Sequence, residues 1–311
     1  MGLPVIAPFN TAWTRMTGLL FRPFEPGSWF ALGFGAFLSL LMEGGGGLLQ
    51  TAGHFLGAGA TKTDPDVLCR QAHAWILKNP DRTAAIGGAV ALAAAGVCAL
   101  MVWLSTRGIF IFLDNLITGR TQTARPWAEF RKEADSLARW RLGVMLAGQA
   151  LTWGPLLRGA WAVLDLYVRQ GEFSPDCLVI VLAMSGWAII MALTVMPCLW
   201  VLRDFIPVIQ WHRRISAVQA IGVFRREVLP GNFWSLNLYY LWLWMMHFAA
   251  GSLMSLCVCC TCGIGMLPYL GTVLFLPVFT LDRLYPVHYL AQLGPDWAPK
   301  TADGGAPRQT A

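Results

Sequence analysis

Charged residues are scarce in this sequence. Of its 311 residues, 13% are charged and 56% are hydrophobic. A soluble domain carries about 25% charged residues, so this chain has too little charge to cover a water-exposed surface of its size. The shortage argues against an ordinary soluble globular domain and favours a protein embedded in a membrane.

Catalytic signatures are also missing. The sequence contains neither a G-x-S-x-G nucleophile turn nor an H-E-x-x-H zinc motif. The segment GAGATKT at 57–63 lacks the G-K-[ST] ending of a phosphate-binding loop. We therefore expect a non-enzymatic protein that needs no cofactor.

The chain is instead rich in long apolar runs. About 20 consecutive apolar residues span a bilayer as an α-helix. Six such runs lie at roughly 27–43, 83–105, 142–164, 177–201, 233–257 and 267–288. They predict an all-α integral membrane protein with about six transmembrane helices, in a single polytopic domain over 1–295. The polar tail at 296–311 is predicted to be disordered and cytoplasmic.

The distribution of Lys and Arg predicts the orientation of these helices. The side that holds both chain ends and the connections after spans two and four has 17 Lys and Arg residues, and the other side has six; these counts include Arg283 and Arg158, which lie within spans six and three. Cytoplasmic segments carry the excess, so both termini are predicted to be cytoplasmic. The net charge of +6 then faces anionic lipid headgroups, and we expect no nucleic-acid partner.

A short motif occurs three times, each time before an odd-numbered span. Its copies are FRPFEPGSW at 21–29, FRKEADSLARW at 130–140 and FRREVLPGNFW at 224–234. The segment before each copy has the pattern of an amphipathic helix that lies in the membrane interface. This predicts three repeats of an interfacial helix followed by a two-span hairpin, at about 10–105, 112–203 and 205–290. Chance similarity is the alternative, because Arg and Trp are common at the ends of all spans.

Polar residues near the spans are the candidate functional residues. Basic residues of the repeated motif are expected to contact lipid headgroups: Arg22, Arg131, Lys132, Arg225 and Arg226. Aspartates recur near the cytoplasmic ends of the even-numbered spans: Asp114, Asp204 and Asp282. They either pair with neighbouring arginines or form a ring of carboxylates around a cytoplasmic vestibule. His247, near the middle of span five, either bonds to another helix or belongs to a proton or metal relay.

The segment CVCCTC contains two interleaved C-x-x-C pairs. Its thiols belong to Cys257, Cys259, Cys260 and Cys262. This spacing occurs in zinc, iron–sulfur and redox sites. The alternatives are packing of small apolar side chains in a turn and a disulfide on the oxidising side of the membrane.

Three segments resemble a group of uncharacterised bacterial multi-pass proteins: STRGIFIFLDN at 105–115, LPYLGTVLFLPV at 267–278 and YLAQLGPDW at 289–297. That group is similar in layout to the membrane domain attached to some glycerophosphodiester phosphodiesterases. The resemblance implies a membrane domain without the catalytic barrel, and it assigns no catalytic residue.

The sequence thus favours an inner-membrane protein that organises lipid or a complex with a membrane protein partner. A transporter or flippase-like channel for a small or lipidic solute is the first alternative. A thiol-dependent redox or metal-binding membrane protein is the second. The oligomeric state is left open by these patterns.

Overall fold

The computed structural model describes residues 3–42, 65–260 and 267–298. Every regular element in these ranges is helical, so the predicted all-α class is confirmed. The α-helices are α1 (Ile6–Phe21), α2 (Pro26–Leu40), α3 (Pro65–Lys78), α4 (Pro80–Thr118), α5 (Ala124–Glu129), α6 (Arg131–Gln170), α7 (Pro175–Arg213), α8 (Ala217–Val223), α9 (Phe233–Cys260), α10 (Pro268–Leu274) and α11 (Leu276–Ala291). A π-helical turn at Phe224–Val228 follows α8, and a 3-10 turn at Pro295–Trp297 follows α11.

Three helices in the described ranges are long and apolar enough to cross a membrane: α4, α7 and α9. α4 and α7 each have 39 residues, about 60 Å at 1.5 Å per residue. That length is about twice the thickness of a bilayer's hydrocarbon core. α6 is equally long, but Gln149, Pro155 and Arg158 interrupt its apolar run.

Two predicted spans differ from the helices observed. The run at 27–43 forms α2, whose 15 residues are fewer than the roughly 20 that cross a bilayer. The run at 267–288 forms two helices, α10 and α11, which are separated at Phe275. Pro277 lies in the first turn of α11, where its missing N–H costs no helical hydrogen bond. A proline placed there favours a new helix start over a continuous helix.

The interfacial helices before the second and third copies are shorter than expected. α5 has six residues and ends at Glu129, and its C-cap Phe130 directly precedes α6. α8 has seven residues and begins with a capping box between Ser216 and Gln219. α1, before the first copy, has 16 residues and buries the stripe Pro8, Ala12, Met16 and Leu20, as expected of an amphipathic helix.

The structure contains two compact units. The first, here called the core unit, comprises Met1–Glu43, Trp103–Arg139 and Val201–Ala311. The second, here called the apolar unit, comprises Gly44–Val102 and Trp140–Trp200.

The carboxyl-terminal parts of α4, α7 and α11 form the centre of the core unit. They contribute the deeply buried side chains Ile109, Phe110, Ile111, Phe112, Leu113, Phe205, Ile206, Ile209, Tyr285, Tyr289 and Leu290. Phe130, of the second motif copy, stacks on Phe110 with ring centres 5.5 Å apart. Phe224, of the third copy, packs on Phe205 at 5.4 Å. In both copies the motif's Phe therefore packs on the nearest preceding long helix, α4 for Phe130 and α7 for Phe224.

The apolar unit contains the long apolar parts of α4, α6 and α7, and few of its described side chains are buried. Its buried hydrophobic residues are Val102 and Cys177. α6 approaches α7 closely at Gly148 and Gly159, where a Cβ would touch Val195 and Met184. Small residues at such contacts are typical of helix pairs in membranes.

Polar contacts in the apolar unit join α3 to the carboxyl-terminal end of α6. His73 Nε2 lies 3.2 Å from Asp165 Oδ1, and the Tyr167 hydroxyl donates to Asp66 at 2.5 Å. This hydrogen bond raises the pKa of Tyr167 above its ordinary value, because the phenol must stay protonated to donate.

Candidate functional site

Asp282, on α11, joins three helices of the core unit through one buried carboxylate. Its side chain is 6% exposed. Oδ2 accepts a hydrogen bond from Arg203 of α7, and Oδ1 lies 3.0 Å from Nε2 of His247 on α9. Both carboxylate oxygens are therefore held by partners from other helices, and the side chain of His247, 40% exposed, is the more accessible group.

Two further charged residues complete this Arg203 cluster, which consists of Arg203, Asp204, His247, Asp282 and Arg283. Nε of Arg203 lies 3.6 Å from Oδ1 of Asp204. Nη1 of Arg283 donates to the backbone carbonyl of Arg203 at 2.8 Å. Two arginines thus face two aspartates, a balance that buried ion pairs require because an uncompensated buried charge is costly.

Tyrosine and phenylalanine rings pack around the same helix segments. Tyr239 stacks on Tyr285 with ring centres 4.5 Å apart, and Phe205 lies 5.1 Å from Tyr239. Tyr289 lies 5.0 Å from Tyr239. Such rings exclude water, and attraction between opposite charges is stronger in a medium of low dielectric constant.

Asp114 has a different partner from the other two predicted aspartates. It accepts a hydrogen bond from Nε1 of Trp211 at 2.9 Å, which connects α4 to α7. Trp211 is seven residues beyond Asp204, about 10 Å along the helix axis. The structure therefore brings Asp204 and Asp282 to one arginine and places Asp114 at another contact. A carboxylate ring around a vestibule stays a prediction.

A second buried arginine, Arg107 of α4, connects to the second motif copy. Its Nη2 donates to Oδ1 of Asp135 at 2.7 Å, and its Nη1 donates to the carbonyl oxygen of Trp127 at 3.0 Å. Its guanidinium carbon lies 5.4 Å from the ring centres of both Trp103 and Trp127. Cation–π contacts of this kind stabilise a desolvated guanidinium.

Arg107, Arg203 and Arg283 each lie in one of the three helices that form the core. Each precedes a mostly apolar segment: GIFIFL after Arg107, DFIPVI after Arg203 and LYPVHY after Arg283. In the sequence these arginines contribute only to the predicted cytoplasmic charge. The repeated arrangement of an Arg before such a segment is the signal that would have identified them.

The five basic residues predicted to contact lipid all lie at the surface. Arg22, Arg131, Lys132, Arg225 and Arg226 are exposed, and within the described part of the chain none of them forms an ion pair. Other surface arginines are paired: Arg213 makes two hydrogen bonds to Glu227, at 2.8 and 2.5 Å, and Arg214 pairs with Glu129. The five residues are therefore available to an external anion.

The cysteine segment lies at the carboxyl-terminal end of α9. Cys257, Cys259 and Cys260 belong to its last turn, and Cys262 lies outside the described residues. No disulfide and no group of three metal-ligating side chains occurs in the ranges that the structure describes. The packing, disulfide and metal hypotheses for this segment stay predictions.

The chain belongs to a protein family described as a family of unknown function (DUF7544), whose model matches residues 4–294. No curated protein and no solved structure matches the chain significantly. The Arg203 cluster and the basic surface, all within the matched range, are therefore interpreted from their geometry alone.

Proposed function

We propose that this chain is a non-enzymatic integral protein of a bacterial inner membrane that organises lipid, or a complex with a membrane protein partner. The observation that carries the proposal is the division of charge within the core unit. Its buried charges neutralise one another in the Arg203 cluster and at Arg107, whereas five exposed basic residues of the repeated motif lack a carboxylate partner in the described chain.

Exposed aromatic residues accompany these basic residues in sequence. Phe21 is 46% exposed beside Arg22, and Trp234 is 77% exposed shortly after Arg226. Basic and aromatic residues together are typical of the interface between lipid and water. Each Lys or Arg near an anionic membrane surface contributes about 1 kcal/mol, so the set suits a lasting association with anionic headgroups.

The proposed arrangement has six spans in three repeats, with both termini in the cytoplasm. Two observations support the repeats: the Phe130–Phe110 and Phe224–Phe205 contacts are alike, and Arg107, Arg203 and Arg283 each precede a mostly apolar helix segment. The proposed kinship with the membrane domain of glycerophosphodiester phosphodiesterases fits a chain whose described elements are all helical.

A transporter or flippase-like channel is the second candidate, and the division of the last predicted span favours it. α10 and α11 are separated at Phe275, and discontinuous helices frequently form substrate sites in transporters. Asp282 of the Arg203 cluster lies on α11, so the cluster would hold the ion or solute. Loss of transport in an Asp282→Asn variant that assembles normally would favour this candidate.

Native mass spectrometry in native nanodiscs tests the leading proposal. We expect anionic phospholipid to be enriched around the protein, and an Arg225→Gln/Arg226→Gln variant to reduce the enrichment. An Arg125→Gln/Arg169→Gln variant is the matched control, because it removes two exposed charges that already have carboxylate partners. A lone chain that carries a small solute without lipid enrichment would contradict the proposal and favour the transporter.

A further inference from the structure

A cavity of about 220 Å³ lies in the core unit between the α1–α2 connection and the end of α4. Its polar lining consists of Arg22, Glu25, Ser28, Asn115, Arg120 and Thr121. Gly119, with φ of +70°, ends α4 in the left-handed conformation that glycine adopts readily. This turn allows Arg120 and Thr121 to line the same cavity as the α1–α2 connection.

Asn115 belongs to the lining of this cavity and has an unsatisfied donor. The residue is 1% exposed, and its Oδ1 accepts a hydrogen bond from the backbone N–H of Gln122 at 3.2 Å. Its Nδ2 is buried and has no acceptor within the described residues. A buried donor without a partner is costly, so an acceptor atom bound in the cavity would stabilise this side chain.

Two arginines line the cavity beside Asn115. Arg22 and Arg120 are exposed, and within the described chain neither forms an ion pair. Arg213 lies 93 residues after Arg120, at the matching place before the third motif copy, and there Glu227 accepts two hydrogen bonds from its guanidinium. The carboxylate of Glu227 thus pairs with Arg213, whereas Arg120 lines the cavity and forms no ion pair within the described residues.

The charge of the lining favours an anion of single charge. Two guanidinium groups and the carboxylate of Glu25, which accepts from the Ser28 hydroxyl at 3.0 Å, sum to +1. This balance suits a phosphodiester, which carries one negative charge, better than a phosphate monoester with up to two. The volume is below the 300–1,000 Å³ of pockets for drug-sized ligands, so the cavity suits a headgroup-sized ligand.

Aromatic rings lie beside the cavity. Trp29 belongs to the lining, and exposed Phe21 and Phe24 pack against it with ring centres 5.6 and 5.4 Å away. Exposed rings next to cationic side chains suit a ligand with a polar head and an apolar remainder.

We infer that this cavity binds one phosphodiester group, the chemistry that phospholipid headgroups and soluble phosphodiesters share. Arg22 and Arg120 neutralise the phosphate, and Asn115 Nδ2 donates to one of its oxygens. The inference rests on the proposed function, which places the cavity at a membrane surface rich in phosphodiesters.

Native mass spectrometry of the purified chain in mild detergent tests the site. The probes are phosphatidylglycerol, its soluble headgroup glycerophosphoglycerol, and diacylglycerol, which lacks phosphate. We expect one phosphatidylglycerol per chain, bound at least about tenfold more tightly than by an Arg22→Gln/Arg120→Gln variant, because charge-assisted hydrogen bonds are the strong ones. The Arg125→Gln/Arg169→Gln variant is the control, because it also removes two exposed charges but neither lies in the cavity lining, and its binding should stay within about twofold of the native chain.

The three probes distinguish a phospholipid headgroup from a soluble phosphodiester as the source of the bound group. Binding of phosphatidylglycerol without glycerophosphoglycerol assigns the site to a lipid headgroup, and equal binding of both assigns it to a soluble phosphodiester. Diacylglycerol bound as tightly as phosphatidylglycerol, or equal losses in the two variants, would overturn the inference. If the purified chain binds one phosphatidylglycerol but anionic lipid is not enriched around it in nanodiscs, the proposed function is refuted and the phosphodiester site still stands.

Discussion

Helix α4 has a different environment in each of the two units. In the core unit its residues from Ile109 to Leu113 are at most 1% exposed. In the apolar unit the same helix exposes Ile86 by 55%, Val90 by 64% and Leu92 by 76%. Both segments are apolar, so composition does not account for the difference.

The difference shows which surroundings each segment of α4 requires. The core-unit segment packs its apolar side chains against protein, as a chain in water does, although α9 of the same unit exposes Phe248 by 69% and Leu256 by 61%. Side chains as exposed as those of the apolar unit need an apolar solvent, and lipid supplies it without any further burial. The two ion-paired aspartates differ in exposure in the same direction: the side chain of Asp282 in the core unit is 6% exposed, and that of Asp165 in the apolar unit is 26% exposed.

The largest difference in stability loss between the units is expected when one carboxylate is removed from each. Asp282→Ala removes the partner of Arg203 and His247 and should destabilise the protein by about 3–5 kcal/mol, because it leaves buried charge uncompensated. Asp165→Ala, the control in the apolar unit, should cost about 0–1 kcal/mol because its ion pairs are partly exposed. Unfolding by SDS titration measures both, and similar costs would contradict the proposed difference between the units.

A charge placed on an exposed apolar side chain tests whether lipid covers it. Leu92→Lys, in the apolar unit, should cost about 2.5–3.5 kcal/mol for insertion of α4 into the membrane. Val218→Lys, on α8 of the core unit, is the control; Val218 is 56% exposed, and no insertion defect is expected there. The inserted fraction is measured by protease protection. Full insertion of the Leu92→Lys variant would mean that lipid does not surround this segment.

Two glycines of α4 test how closely helices pack in each unit. A Cβ at Gly108 would lie 2.5 Å from the carbonyl carbon of Leu38, whereas nothing lies within 4 Å of one at Gly96. Gly108→Ala should therefore destabilise by about 1–3 kcal/mol through overpacking of α4 against α2. Gly96→Ala should be neutral or stabilising by up to about 1 kcal/mol. Thermal unfolding in detergent compares them, and equal midpoints would argue against the close helix contact.

The smallest effect is expected for the cysteine segment of the core unit. Replacing Cys257, Cys259, Cys260 and Cys262 by Ser should change stability by less than about 0.5 kcal/mol, as surface substitutions do. Cys177→Ser, at a fully buried position of the apolar unit, should cost more because it buries a hydroxyl. Cellular abundance and elemental analysis are the measurements. Loss of a bound metal from the fourfold variant would instead establish the thiol-dependent function.

The site was predicted in part. Asp204 and Asp282 were identified from sequence because an Asp recurs near the end of each even-numbered span, and His247 because an ionisable side chain within an apolar run is unusual. The contact of Asp282 with Arg203 joins residues 79 positions apart, and no local pattern specifies it. Asn115 was also not singled out, since its unsatisfied donor is visible only once the cavity around it is known.

The sequence by itself determined the helical class and the long apolar segments, because hydrophobic content and run length act locally and need no partner. The repeated Phe-Arg motif indicated where interfacial helices precede the longer ones. Tertiary structure alone decided that Arg107 is buried and Arg203 largely buried in ion pairs, while Arg22 and Arg120 line a cavity. In the sequence all four precede or follow predicted spans. Their environments differ because burial and pairing depend on which distant helices pack against each residue.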